Sequence, residues 1–146
     1  MTQAFFEWFE NRYAGEFRIS GPKRAGADID LRKVLPGFTE RAPTDFVISS
    51  ASGEVLAVGY ARYDSDRGGA QEDDRTGGNQ DKITKIERYN QAFGARVKLI
   101  FLNDGPGLAL GSMWRDYAAM EEGRPDVLVV TLKMLEDRLS SAWLSS

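Results

Sequence analysis

Aromatic residues crowd the start of the chain at helical intervals. Phe5, Phe6, Trp8, Phe9 and Tyr13 are interleaved with Glu7, Glu10 and Arg12, a spacing that predicts an amphipathic helix from about Thr2 to Ala14, capped by Thr2 and stopped at Gly15. Its aromatics read as core. Phe17-Arg18-Ile19 and Ala27-Asp28-Ile29-Asp30-Leu31 read as short strands. Two longer strands follow, Asp45 to Ser49 and Val55 to Tyr63, joined by a turn at Ser52-Gly53. Between Asp64 and Arg75 five acids (Asp64, Asp66, Glu72, Asp73 and Asp74) stand against two arginines, with glycine pairs at Gly68-Gly69 and Gly77-Gly78. Such a stretch predicts a mobile loop, too polar to pack and too rich in glycine for a helix. Ile83, Ile86, Tyr89, Asn90 and Phe93 then restore the helical period over Asp81 to Phe93, with Gly94 as the stop.

The second half is more apolar. Val97 to Leu102 is nearly continuous in hydrophobic residues and reads as a central strand. Asn103-Asp104-Gly105-Pro106-Gly107 predicts a turn, Gly111 to Glu122 a helix, Val127 to Leu132 a strand, and Met134 to Leu144 a final helix that Thr131 caps. Counting one short strand ahead of the two longer ones, the succession of helix, short strand, two strands, helix, strand, helix, strand, helix implies a mixed sheet flanked by helices. At 146 residues it is read as a single domain over 1–146.

Composition narrows the chemistry. The chain has no Cys and no His, which excludes thiol nucleophiles, disulfides, zinc ribbons, imidazole bases and Ser-His-Asp triads. Any metal is held by oxygen, pointing to Mg²⁺, Mn²⁺ or Ca²⁺. Asp64-Ser65-Asp66 lacks the later ligands and terminal Glu of an EF-hand. The net charge of −3 argues against a generic DNA-coating protein, yet carboxylates at a metal site lower the total while a local basic rim persists. No apolar run approaches the ~20 residues that span a bilayer, and Met1 to Phe5 lacks the flanks of a signal peptide. No membrane association and a cytoplasmic location are expected.

The chemistry concentrates around Pro43-Thr44-Asp45 and the strand ending Gly59-Tyr60-Ala61-Arg62-Tyr63-Asp64. A proline followed by an acid on one strand, and charged residues at the end of the next, resembles the PD-(D/E)XK nuclease superfamily of restriction-endonuclease-like proteins. Thirteen residues separate Asp45 from Gly59, which would place the family's acid-x-Lys triplet on Gly59-Tyr60-Ala61, where neither outer residue can hold a metal or a proton. One residue later, Tyr60 and Arg62 share a strand face.

The resemblance implies an α/β, restriction-endonuclease-like fold with a mixed central β-sheet flanked by α-helices. It also implies a Mg²⁺-dependent endonuclease, with Mn²⁺ as a substitute, acting on double-stranded DNA as a homodimer or as part of a larger restriction enzyme. Asp45, Arg62 and Asp64 are the expected catalytic residues, and Asp45 and Asp64 the metal ligands. Lys23, Arg24, Arg67, Gln71, Arg75, Asn79 and Lys85 are the expected DNA contacts, since these side chains suit phosphates and base edges. Lys82 is a further basic candidate, Glu7 or Glu10 a possible extra ligand, and Asp28 with Asp30 a rival acid pair. The alternatives are a catalytically inactive nuclease-fold domain that binds DNA or a protein partner, and an α/β adaptor with no nucleic-acid role.

Overall fold

Residues 2–22, 28–63, 70–104, 115 and 118–146 are described by the structure, a computed structural model; within these, the side chains of 63, 70–77 and 104 are not. Five strands form one sheet in the order β1 (Phe17–Ser20), β4 (Phe46–Ser50), β5 (Val55–Tyr63), β6 (Lys98–Asp104) and β7 (Val127–Val130). β4 runs antiparallel to both of its neighbours, β1 and β5, whereas β5, β6 and β7 are mutually parallel. A separate two-stranded ribbon pairs β2 (Ile29–Asp30) with β3 (Pro43–Thr44). The expected mixed sheet flanked by helices is thus present.

The alternation of side chains along each strand divides the core in two. Helix α1 (Thr2–Arg12) buries Phe5, Phe6 and Phe9 on one face of the sheet, against Phe46, Ile48, Ile100 and Leu102. The opposite face carries Val47, Val58, Leu99 and Phe101, covered by Ile83 and Ile86 of α3 (Ala70–Phe93) and by Leu31 of the short α2 (Leu31–Val34). Asp30 caps α2, accepting from the Arg32 N–H at 3.0 Å. Gly53 and Gly94 adopt φ of +95° and +61° at the expected turn and helix stop.

Helix α3 departs from expectation. It begins at Ala70, so much of the segment expected to be a loop, including the glycine pair Gly77-Gly78, is helical. Each glycine costs about 1 kcal/mol in a helix interior, but the buried positions Asn79, Ile83, Ile86 and Tyr89 anchor the next turns. Elongation from an anchored helix adds one hydrogen bond per residue ordered. Asn103 and Asp104, expected to start a turn, instead extend β6. Half of the helix expected over 111–122 lies outside the described residues; Arg115, Ala118 and Ala119 are helical, and 120–123 form a turn.

The expected last helix is broken. A 3₁₀ turn (Leu132–Met134) leads into α4 (Leu135–Arg138), and Ser140 turns extended to cap α5 (Ser141–Ser145) through the Trp143 N–H at 3.1 Å. The Thr131 side chain makes no cap bond. No described helix is long and apolar enough to cross a membrane.

Strand β7 closes one edge of the sheet, where unpaired backbone groups invite further strands. Here side chains occupy them: Glu121 accepts the Val129 N–H at 2.6 Å, and Arg138 donates to the Val129 carbonyl at 2.7 Å while binding Glu121 through two hydrogen bonds. Glu121→Ala is expected to lower stability by about 1.5–3 kcal/mol, the range for hydrogen bonds to charged groups. Urea unfolding with an unchanged m-value is the check.

Candidate active site

Asp45 occupies the bend where the chain leaves the β2–β3 ribbon and enters the main sheet, one residue short of the strand in which it was expected. Its neighbour fixes that bend. Thr44 is fully buried, and its hydroxyl lies 2.7 Å from the Gly59 carbonyl and accepts the Gly59 N–H at 3.1 Å. The Asp45 N–H donates to the same carbonyl at 2.9 Å. With the backbone held in this way, the Asp45 carboxylate accepts the Ala61 N–H at 2.8 Å.

Gly59, opposite Phe46 in the β4–β5 ladder, stands where the resemblance would put an acid, and the packing leaves no room for one. A Cβ built on Gly59 would overlap the Phe46 ring, which is fully buried and packs at 4.9 Å on the Phe5 ring and edge-on to Phe6. A second carboxyl group comes from elsewhere. Asp28, just before β2, lies beside Asp45, near enough that its side chain helps to raise the Asp45 pKa. The structure therefore separates the rival pair Asp28 and Asp30: Asp30 is engaged with Arg32, two nitrogens of whose guanidinium bond the carboxylate at 2.6–3.2 Å, whereas Asp28 turns to Asp45. A cleft of about 360 Å³ lies beside Asp28, lined also by Ile29, Asp30, Arg41, Ala42 and Pro43.

Lys82 reaches the same corner from α3. Its ammonium lies 4.2 Å from the centroid of the Tyr60 ring, a cation–π contact. Tyr60 is stacked on Phe101 and tethered by its hydroxyl to the Pro43 carbonyl at 2.7 Å. Burial and, next, the positive charge of Arg62 push the Lys82 ammonium below the ordinary lysine value, against the fields of Asp45, Asp28 and Asp81. Burial pushes Asp45 above the usual carboxylate value and Asp28 adds to this, while the Ala61 N–H and Lys82 oppose it. Burial, followed by the Asp45 charge, also raises Tyr60.

Of the expected site residues, Asp45 and Arg62 stand at this corner, with Arg62 exposed at the end of β5. Asp64, Lys23, Arg24 and Arg67 lie outside the described residues, as do the side chains of Gln71 and Arg75 in α3. Asn79 is only 8% exposed within α3, and Lys85 pairs with Asp81 at 3.1 Å. Glu7 and Glu10 are on the exposed side of α1, which covers the other face of the sheet. Asp28 and Lys82 complete the cluster. Lys82 was visible as a cation on the helix after β5, and Asp28 as half of an acid pair whose partner was misassigned. No group of three or more acidic side chains able to hold a metal exists among the described residues. Two carboxylates remain an adequate protein contribution for Mg²⁺, which usually keeps several waters and takes further oxygens from substrate phosphate.

No protein-family model, curated protein or solved structure matches this chain.

Two consequences are measurable. Gly59→Ala is expected to cost about 1–3 kcal/mol, the range for overpacking a filled site, read as a lower urea midpoint. The raised Asp45 value means that the folded state takes up the Asp45 proton more readily than the unfolded state. Its ionised form therefore opposes folding, a penalty absent below the ordinary carboxylate value and complete once pH exceeds the raised one. Asp45→Asn is expected to raise Tm by a few degrees at neutral pH without divalent ions, and the gain should vanish at acid pH; thermal scans across pH check this.

Proposed function

We propose that the chain is a Mg²⁺-dependent DNA endonuclease of the restriction-enzyme type, built on a restriction-endonuclease-like core. The observation that carries this reading is the meeting of Asp45 and Asp28 beside a partly desolvated Lys82. With the β2–β3 ribbon and α2 set aside as an insertion, the order of α1, the antiparallel strands β1, β4 and β5, helix α3 and the parallel strands β6 and β7 supports it, as does the absence of any non-oxygen metal ligand apart from methionine sulfur.

Asp45 and Asp28 would hold Mg²⁺ or Mn²⁺, the ion relieving the repulsion between the two carboxylates. When bound there, the ion supplies positive charge to the scissile phosphate and lowers the pKa of an attacking water. The Ala61 N–H fixes the orientation of Asp45, and Thr44 holds the backbone that sets it. Lys82, with its proton affinity reduced by burial, gives up its own proton more readily than an exposed lysine does, and the neutral amine so formed orients the water and accepts its proton. The Arg62 guanidinium offsets the negative charge that develops on the phosphate. Cutting both strands of double-stranded DNA takes two such sites, supplied by a homodimer or by a larger restriction enzyme.

A second reading rests on Gly59-Tyr60-Ala61, which lacks the acid and the lysine of the family triplet: an inactive nuclease-fold domain that binds DNA or a protein. Incubation with supercoiled and linear DNA in Mg²⁺ or Mn²⁺, with binding followed in parallel, separates the two. The first reading expects discrete cleavage, lowered about 100-fold or more by Asp45→Ala or Asp28→Ala and about 10²–10⁴-fold by Lys82→Met. Binding without cleavage supports the second reading. The absence of both cleavage and binding overturns the nuclease reading and the DNA-binding one together.

A further inference from the structure

One buried polar atom remains unpaired beside this corner. Asn103 is 4% exposed, and its amide nitrogen Nδ2 is the buried side-chain atom without a hydrogen-bond partner among the described residues. Buried donors are normally satisfied, and leaving one unpaired is costly to folding. Simple packing does not account for it, since an aliphatic residue of similar volume at the end of β6 would incur no such cost.

Its position is informative. Asn103 stands directly opposite Arg62 in the parallel β5–β6 ladder. By strand alternation it faces the same side as Leu99 and Phe101, the side covered by α3. Both residues lie at the carboxyl ends of parallel strands, where open α/β sheets take their ligands. The cations at this corner, Arg62 and Lys82, have donors only and cannot receive the Asn103 N–H. What the atom lacks is an acceptor, and a ligand drawn to Arg62 and Lys82 is an anion that supplies one.

We propose that Asn103 is a substrate-contacting residue whose amide donates to a non-bridging phosphate oxygen of the DNA strand held between Arg62 and Lys82. The inference rests on the nuclease reading above and adds a neutral, directional contact to its two cations. The donor is kept unpaired in the free protein, so the hydrogen bond forms only as the phosphate enters, and the stability withheld from folding is recovered in binding.

Fluorescence anisotropy with a duplex of mixed sequence, in Ca²⁺ to disfavour cleavage, tests this on the full chain. Asn103→Leu removes the donor and Asn103→Asp replaces it with a charged acceptor of the same shape. The expected result is a loss of affinity of about 3–10-fold for Asn103→Leu, one neutral hydrogen bond, and a larger loss for Asn103→Asp. Asn103→Leu should also unfold at the same or a higher temperature than the native chain. Native affinity in both variants would overturn the proposal while leaving the nuclease reading intact. Lowered stability in Asn103→Leu with unchanged affinity does the same, because it marks a buried water as the partner. If the native chain itself fails to bind DNA, the nuclease reading fails and this inference falls with it.

Discussion

The contact on which the site depends is the Phe46 ring lying over the bare backbone of Gly59. It belongs to the aromatic cluster beneath α1, so it is tied to one half of the core. It also lets β4 and β5 approach closely, with Thr44 bonding across to the same glycine. The ring excludes a side chain from the position that a strand-borne acid would occupy. The charged side chains gathered at this corner therefore come from Asp45, from Asp28 before the β2–β3 ribbon and from Lys82 on α3. The packing requirement on one face of the sheet thus determines which segments contribute functional groups on the other.

Local patterning made much of this fold legible. The β4–β5 hairpin is encoded in two runs of apolar and β-branched residues around Ser52-Gly53, and the aromatic spacing of α1 and the stop at Gly94 follow from short-range rules. The start of α3 was not legible, because Gly77-Gly78 and the acidic run carry the propensities of a loop and only the anchoring of Asn79 and Ile83 in the core overrides them. The break at Ser140 was likewise a competition, in which a capping hydroxyl outweighed a continuous helical period.

The candidate site was half legible for a related reason. Asp45 could be placed from its proline, its threonine and its distance to the next strand. Asp28 could not, because nothing local distinguishes it from Asp30, and the difference arises only when Arg32 engages one acid and the folded ribbon delivers the other to Asp45. Lys82 was one of several cations on its helix until the fold set it over the Tyr60 ring. The unpaired amide of Asn103 has no sequence signature, since hydrogen-bond satisfaction is a property of the assembled interior.

Strand β6 carries two buried polar side chains at its opposite ends. Lys98, 1% exposed, donates to the Ser146 carbonyl at 2.6 Å, with the Arg96 carbonyl at 3.5 Å. Asn103 has no such partner for its amide. The sheet consequently has a polarity, sealed from within at the end where β6 begins and left chemically unsaturated where it finishes. Ordering the first end is the work of folding, whereas the second is left for whatever arrives from outside.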